Sequence, residues 1–293
     1  MRKLPLHKRV QILSMMVEGS SMRSISRVVG VSINTVTKLL IDAGEACAAY
    51  HDEHVRNVIA ARVQCDEIWS FCYAKEANVR RAKAAPFESG DVWTWTALDA
   101  DSKLIISYLV GDRDAYSAFA FMQDLKSRLA TRVQLTTDGH HPYVEAVKEA
   151  FGKEVDFAQL VKIYSKMQKG PGVRSRPTVC VGAKKAKRIG SPDRAHISTS
   201  FVERQNLNIR MGNRRFTRLT NAFSKRLHNH VHMLSLYFLH YNFCRIHGTL
   251  KVSPAMAAGV SDTLYDMEWV VGLIDARAPK PGRPKHYKKQ KAS

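Results

Sequence analysis

Between residues 6 and 43 the apolar positions recur at helical spacing, and from residue 62 the period shortens to that of strands. In LHKRVQILSMMVE, residues 6–18, Val10, Leu13 and Val17 share one helical face, and Gly19 ends the run. SMRSISRVV at 21–29 reads as a second, short helix, and GVS at 30–32 as a tight turn. INTVTKLLIDA then reads as a third helix, with Ser32 placed to cap its N-terminus. Short helix, glycine turn and capped helix make the helix-turn-helix spacing, in which Ile33, Asn34, Thr35 and Lys38 would meet base edges in a major groove. A plain three-helix packing unit has the same pattern.

Strands are expected at 62–73, 91–99 and 103–110, the last two joined by a turn at Ala100, Asp101 and Ser102. A helix over about 115–129, a strand at 132–137 and a helix near 142–150 follow, then a strand or short helix near 154–164. Three strands followed by alternating helices and strands predict an α/β fold, a mixed sheet covered by helices. Residues 198–211 read as a helix and 222–246 as one long helix. In the latter, Leu227, Val231, Leu234, Phe238 and Tyr241 form a stripe suited to the core or to a partner helix.

Residues 165–194 lack either period. Lys166, Lys169, Arg174, Arg176, Lys184, Lys185, Lys187, Arg188 and Arg194 stand there against a single acid, Asp193. Glycines and prolines at 170–172, 177, 182, 190 and 192 predict an exposed loop, either solvated or laid on a nucleic-acid backbone. The tail PKPGRPKHYKKQKAS is basic and expected to be disordered. Its GRP resembles the core of an AT-hook, in which Arg283 would enter a narrow minor groove.

Charge narrows the partners. The 293 residues carry 46 Lys plus Arg against 26 Asp plus Glu, a net +20 that attracts polyanions, of which nucleic acid is the commonest. No apolar run reaches the length of a membrane-spanning helix, so no membrane partner is expected, and MRKLPLHKRV lacks a signal-peptide core. Five cysteines without a C-x-x-C pair argue against a disulfide framework or a cysteine-rich zinc site, and fit a reducing cytoplasm.

The chemistry begins at VQCDEIWSFCY, residues 63–73, where Asp66 and Glu67 interrupt a strand otherwise built for burial. An unpaired buried carboxylate is costly to desolvate. Asp138 ends the 132–137 strand, and Glu203 lies in the first turns of the 198–211 helix. Three converging carboxylates would repel and raise one another's pKa, and a divalent metal with hard oxygen ligands removes that conflict. Alternation puts Asp66 and Glu67 on opposite faces, and spacing alone does not choose between them.

The blocks CDEIWSFC, TTDGHHPYVEAV and STSFVERQNLNIRMGNRRFTR resemble the three acidic blocks of DDE transposases, most of all the insertion-sequence-one type. HYNFCRIHGTLKVSPAMAAG is similar to the segment that closes such domains. The resemblance covers roughly residues 62–260. It implies an RNase H-like mixed sheet flanked by helices, preceded by an all-α helix-turn-helix domain. The first Asp would sit on the first strand, the second after the fourth strand and the Glu on a following helix. Carried over by motif, the catalytic and metal-binding residues are Asp66, Asp138 and Glu203, holding Mg²⁺ or Mn²⁺ as two ions, and Arg210 would hold a DNA phosphate beside them. The chain then divides into a helix-turn-helix domain at 1–50, a linker at 51–61, a catalytic domain at 62–260 with a basic insertion about 165–197, and a C-terminal segment at 261–293. The resemblance implies a DNA transposase of a prokaryotic insertion sequence, cytoplasmic and nucleoid-associated. It would cut at terminal inverted repeats and join the freed end to target DNA, as a homodimer or larger assembly. A nuclease of the same fold without joining activity, or a DNA-binding regulator derived from a transposase, would share many of these features. The sequence departs from the family in lacking a cysteine zinc ribbon and in the long gap before Glu203.

Three further groups have two readings each. His228 and His232 have an i, i+4 zinc spacing but no acid ligand nearby in sequence. His140 and His141 could shuttle protons beside Asp138, or simply face solvent or DNA. Trp93 and Trp95 read as core or as stacking platforms.

Overall fold

The computed structural model describes residues 4–166, 178–217 and 221–277. Three helices come first: α1 (Leu6–Val17), α2 (Met22–Val29) and α3 (Ile33–His54). Gly30 ends α2 at φ 68°, a left-handed conformation that glycine adopts without strain. The Ser32 hydroxyl accepts from the Thr35 amide (3.2 Å), capping α3 as expected. Across this turn α2 and α3 meet at a bend of 114°. α3 runs well beyond the expected eleven-residue segment, because Leu40, Ala43, Cys47 and His51 continue its buried face.

The sheet has six strands: β1 (Arg62–Cys72), β2 (Gly90–Asp99), β3 (Ile105–Gly111), β4 (Val133–Asp138), β5 (Val155–Lys166) and β6 (Thr178–Ile189). Their order is β3-β2-β1-β4-β5-β6. β1, β2 and β3 form an antiparallel meander; β4 and β5 add in parallel to β1, and β6 turns back antiparallel. Helices α4 (Glu76–Val79), α5 (Ala115–Arg128), α6 (Pro142–Phe151), α7 (Ser200–Gly212), α8 (Leu227–Leu239), α9 (Pro254–Ala257) and α10 (Met267–Arg277) complete the chain. The result is a mixed sheet flanked by helices, compatible with an RNase H-like fold.

Two expectations are corrected. Residues 178–189 are not loop but the edge strand β6, paired antiparallel with β5, with a register shift at Ile163–Tyr164 that sets Gly182 opposite Ile163 and Cys180 opposite Tyr164. The lysines that suggested a loop instead protect an exposed sheet edge from pairing with other chains. The expected long helix at 222–246 is a shorter α8 followed by a π-helical turn at His240–Cys244. That turn carries the buried Asn242 amide onto the backbone of β3, accepting from the Ile105 amide (3.0 Å) and donating to its carbonyl (2.9 Å).

α3 packs along α8, and α10 packs on α1 and α3, so the N-terminal helices share a continuous core with the C-terminal ones. Leu234, Phe238 and Tyr241 of the α8 stripe are buried in that core. No single described helix is long and apolar enough to cross a membrane. The tail with Arg283, and Lys169, Arg174 and Arg176, lie outside the described residues.

Candidate active site

Asp66 sits in the middle of β1 and Asp138 is the last residue of β4, the parallel neighbour. Pairing between the two strands ends at Cys65–Thr137, so Asp138 projects beyond the ladder beside Asp66 and Glu67. Its carboxylate is fixed by its own turn, where Oδ1 accepts from the His140 amide (2.8 Å). Glu203 lies in the first turn of α7, which packs on β1; the Gln64 side chain ties the two together by accepting from the Phe201 and Val202 amides (2.9 and 3.2 Å).

Ligand oxygens of Asp66, Glu67 and Asp138 all lie within 4.8 Å of one another. Burial first, then the Asp138 charge and next the Glu203 charge, push Asp66 up to about 7. Glu67 is also pushed up to about 7, by burial and then by Asp138. Asn206, one turn after Glu203, donates to Asp66 Oδ2 (2.8 Å). Two cations offset part of the negative charge. Arg113 reaches Glu67 Oε2 (3.1 Å) and Asp138 Oδ2 (3.5 Å) while lying over the Trp93 ring at 5.0 Å. Lys162 of β5 pairs with Glu203 Oε1 (2.7 Å), which also accepts from Thr199 Oγ1 (2.5 Å).

The sequence raises Glu67 beside Asp66 without choosing it as a ligand, and gives no sign of Arg113 or Lys162 at the site. Alternation does turn Glu67 to the face opposite Asp66, where it meets Tyr143 of α6. Asp138, the last residue of β4 and beyond its pairing with β1, is nevertheless within reach of both acids. Glu67 Oε1 and the Tyr143 hydroxyl are buried side by side and serve as each other's polar neighbour. Three crowded carboxylates, with the proton affinities of Asp66 and Glu67 raised, fit a divalent cation. Among the described residues this is the one group of three or more potential metal ligands.

Other candidates fall elsewhere. His228 and His232 face each other at 6.1 Å, and His232 lies against Gly44 in the α3–α8 contact. His140 packs on Trp95 and Tyr143, and burial lowers its pKa. Trp95 is core, whereas Trp93 is half-buried under Arg113. Arg210 shares the α7 face of Glu203 and Asn206. Asn34 and Lys38 are exposed on α3, while the Ser32 and Thr35 hydroxyls bond each other (2.9 Å). Along β6, Lys185 and Lys187 lie on the sheet face of Lys162 and Lys184 on the other, with Arg188 at a bulge donating to Gln159 Oε1 (3.0 Å).

If the carboxylates bind metal, Mg²⁺ or Mn²⁺ at a hundred times its dissociation constant adds about 2.7 kcal/mol of stability. Thermal unfolding should then shift upward by several degrees on adding either ion. Asp66→Asn, which removes a repelling charge, should raise the metal-free melting temperature and abolish the ion-dependent shift. A wild-type protein indifferent to both ions would exclude the metal site.

The fold and the acidic cluster define a helix-flanked mixed α/β protein with three carboxylates gathered at a strand end. No family model and no curated protein matches the sequence. Among solved structures, a cryo-EM structure of a piggyBac transposase synaptic complex with hairpin DNA aligns with 94% of this chain and 71% of that chain, at TM-score 0.41 and 9% identity. This is a distant likeness of architecture that transfers no residue roles.

Proposed function

We propose that the protein is a DDE-type DNA transposase acting through Asp66, Asp138 and Glu203. The observation that carries this reading is the meeting of Asp66 on β1 with Asp138 at the end of β4; Glu203 of α7 lies outside that cluster, paired with Lys162 but close enough for its charge to act on Asp66. The affiliation with the insertion-sequence-one type rests on the sequence blocks alone. Asp66 and Asp138, with Glu67 beside them and Glu203 across from Lys162, would hold Mg²⁺ or Mn²⁺, as two ions. Divalent ions bound there supply charge that makes water a better nucleophile and steadies the leaving oxygen of a phosphodiester. The chain's own part is positioning. Asn206 orients Asp66, the His140 amide orients Asp138, and Thr199 and Lys162 orient Glu203. Arg113 and Lys162 are placed to attract the scissile phosphate, and Arg210 extends that basic lining along α7. Reaction at a rigid strand needs little more than such alignment.

Double-stranded DNA is the partner, both element ends and target, and joining two ends calls for a homodimer or larger assembly in the prokaryotic cytoplasm. Asn34 and Lys38, at the exposed start of α3, would read base edges, each contact worth roughly 1–3 kcal/mol of discrimination. Lys185 and Lys187 would meet phosphates. Neutralising this pair should lower the log–log salt slope of DNA binding by about 1.8, at roughly 0.9 per phosphate. Lys184→Ala, on the other face, should change the slope far less. An unaltered slope in the double variant would make the β6 edge a solvated surface.

The function is tested with DNA selected from a random pool by binding, end-labelled and incubated with Mg²⁺ and plasmid. A transposase yields labelled plasmid through 3′-OH joining. Cleavage without labelled plasmid means a nuclease, and binding without cleavage a regulator.

A further inference from the structure

A second basic recess lies on the side of α7 away from the acids. Glu203, Asn206 and Arg210 form one stripe of that helix, whereas Phe201, Arg204, Gln205 and Asn208 form another, roughly opposite. The second stripe, the 245–249 loop and Lys103 enclose a cavity of about 490 Å³. That volume suits a small ligand of a few rings.

Its chemistry is one-sided. Lys103, Arg204 and Arg245 line it, and no carboxylate does. Among the described residues neither arginine is paired with an acid, and both are exposed at the mouth. The Phe201 ring forms part of the wall, 40% exposed, with the Lys103 ammonium 3.4 Å from its centroid. Deeper in, Gln205 is 2% exposed, and its Nε2 has no hydrogen-bond partner while its Oε1 accepts from Asn208 (3.1 Å). An unsatisfied buried donor costs free energy unless a ligand acceptor meets it.

We propose that this cavity is a nucleotide subsite, distinct from the carboxylate cluster. Arg204 and Arg245 take the phosphate, Phe201 offers its exposed ring for stacking, and Gln205 donates to a base acceptor. Guanidiniums suit phosphate through their fork of donors, and a base stacks on an aromatic face whatever its identity. A fully paired duplex cannot offer a base to a recess, so the ligand is an unpaired nucleotide, from DNA or free in solution. In the DNA case the assignment rests on the nucleic-acid reading above. It would anchor a strand against the helix that carries Glu203, about one helix diameter, roughly 10 Å, from the acids.

The test is run in EDTA, so that metal chemistry does not enter. Labelled duplexes that are fully paired, carry one unpaired adenosine, or carry one unpaired abasic residue are titrated with the full chain, and dAMP is titrated separately. The unpaired-adenosine duplex is expected to bind about tenfold tighter than the other two. Phe201→Ala and the double variant Arg204→Ala, Arg245→Ala should erase that advantage, with melting temperatures showing that both remain folded. Saturable dAMP binding lost in the same variants, without a preference among duplexes, would support the subsite with a free nucleotide as its ligand. Equal affinity for all three duplexes together with no dAMP binding would overturn the proposal, leaving only a cationic surface. Asp66→Asn should keep the preference, so a failure of cleavage and a failure of this subsite are told apart.

Discussion

Asp66→Asn and Asp138→Asn are each expected to lower metal-dependent cleavage and joining by about 10³-fold or more, with DNA binding nearly unchanged. The size follows from the several kcal/mol that metal charge supplies in phosphodiester transfer, at about 1.4 kcal/mol per factor of ten. Asp66 is rigidly placed between β2 and the end of β4, held by Asn206, and an amide there keeps the shape while losing the charge. Glu203→Gln should follow the same pattern and also release Lys162 from its ion pair. Glu67→Gln separates two roles. A spectator on the far face of β1 would leave cleavage intact, whereas the cluster geometry predicts a marked loss through Asp138 and Arg113. Near wild-type cleavage by Asp66→Asn would remove that residue from the mechanism.

The second large effect is on folding. Gly44 lets α3 approach α8 so closely that an added Cβ would stand 2.3 Å from His232 Cβ and 2.6 Å from its Cα. Backbone cannot be relieved by a rotamer change, so Gly44→Ala must push the helices apart along their shared core. Overpacking of this kind costs about 3 kcal/mol, lowering the melting temperature by roughly 5–8 °C. Exposed Asn34→Ala serves as the control and should leave melting unchanged. Equal melting of Gly44→Ala and the parent would mean that α3 and α8 do not meet this way.

Much of the sheet was legible because its strands combine β-branched and aromatic residues with clear turns. β2 and β4 fall within a residue or so of where the pattern placed them, as do α5 and α6. The β6 edge was not legible, since lysines and a glycine are what both a loop and a protected edge strand contain. The end of α8 was hidden as well, because a π-turn keeps helical periodicity while one buried amide redirects the chain to β3.

At the site, the acids stand out in sequence because carboxylates break an apolar strand. Arg113 and Lys162 do not, being two among 46 basic residues. Their placement depends on β3 and β5 lying on either side of the β1–β4 pair, a long-range outcome of the sheet order. Alternation left Asp66 and Glu67 undecided and the motif resemblance took Asp66; alternation fixes the direction of a side chain but not what lies at the end of the next strand. The cavity beside α7 was illegible for a similar reason: Lys103, Arg204 and Arg245 come from three separate segments.

A divalent ion held jointly by Asp66 and Asp138, as the proposed phosphodiester transfer requires, can be located directly with Mn²⁺. Crystals soaked in Mn²⁺ should show an anomalous peak about 2.2 Å from an oxygen of each of the two carboxylates, with Arg113 displaced from Asp138. The same soak of Asp66→Asn should show no peak there. A well-ordered wild-type site with Arg113 still on Asp138 and no anomalous density between the two acids would contradict joint metal binding by this pair.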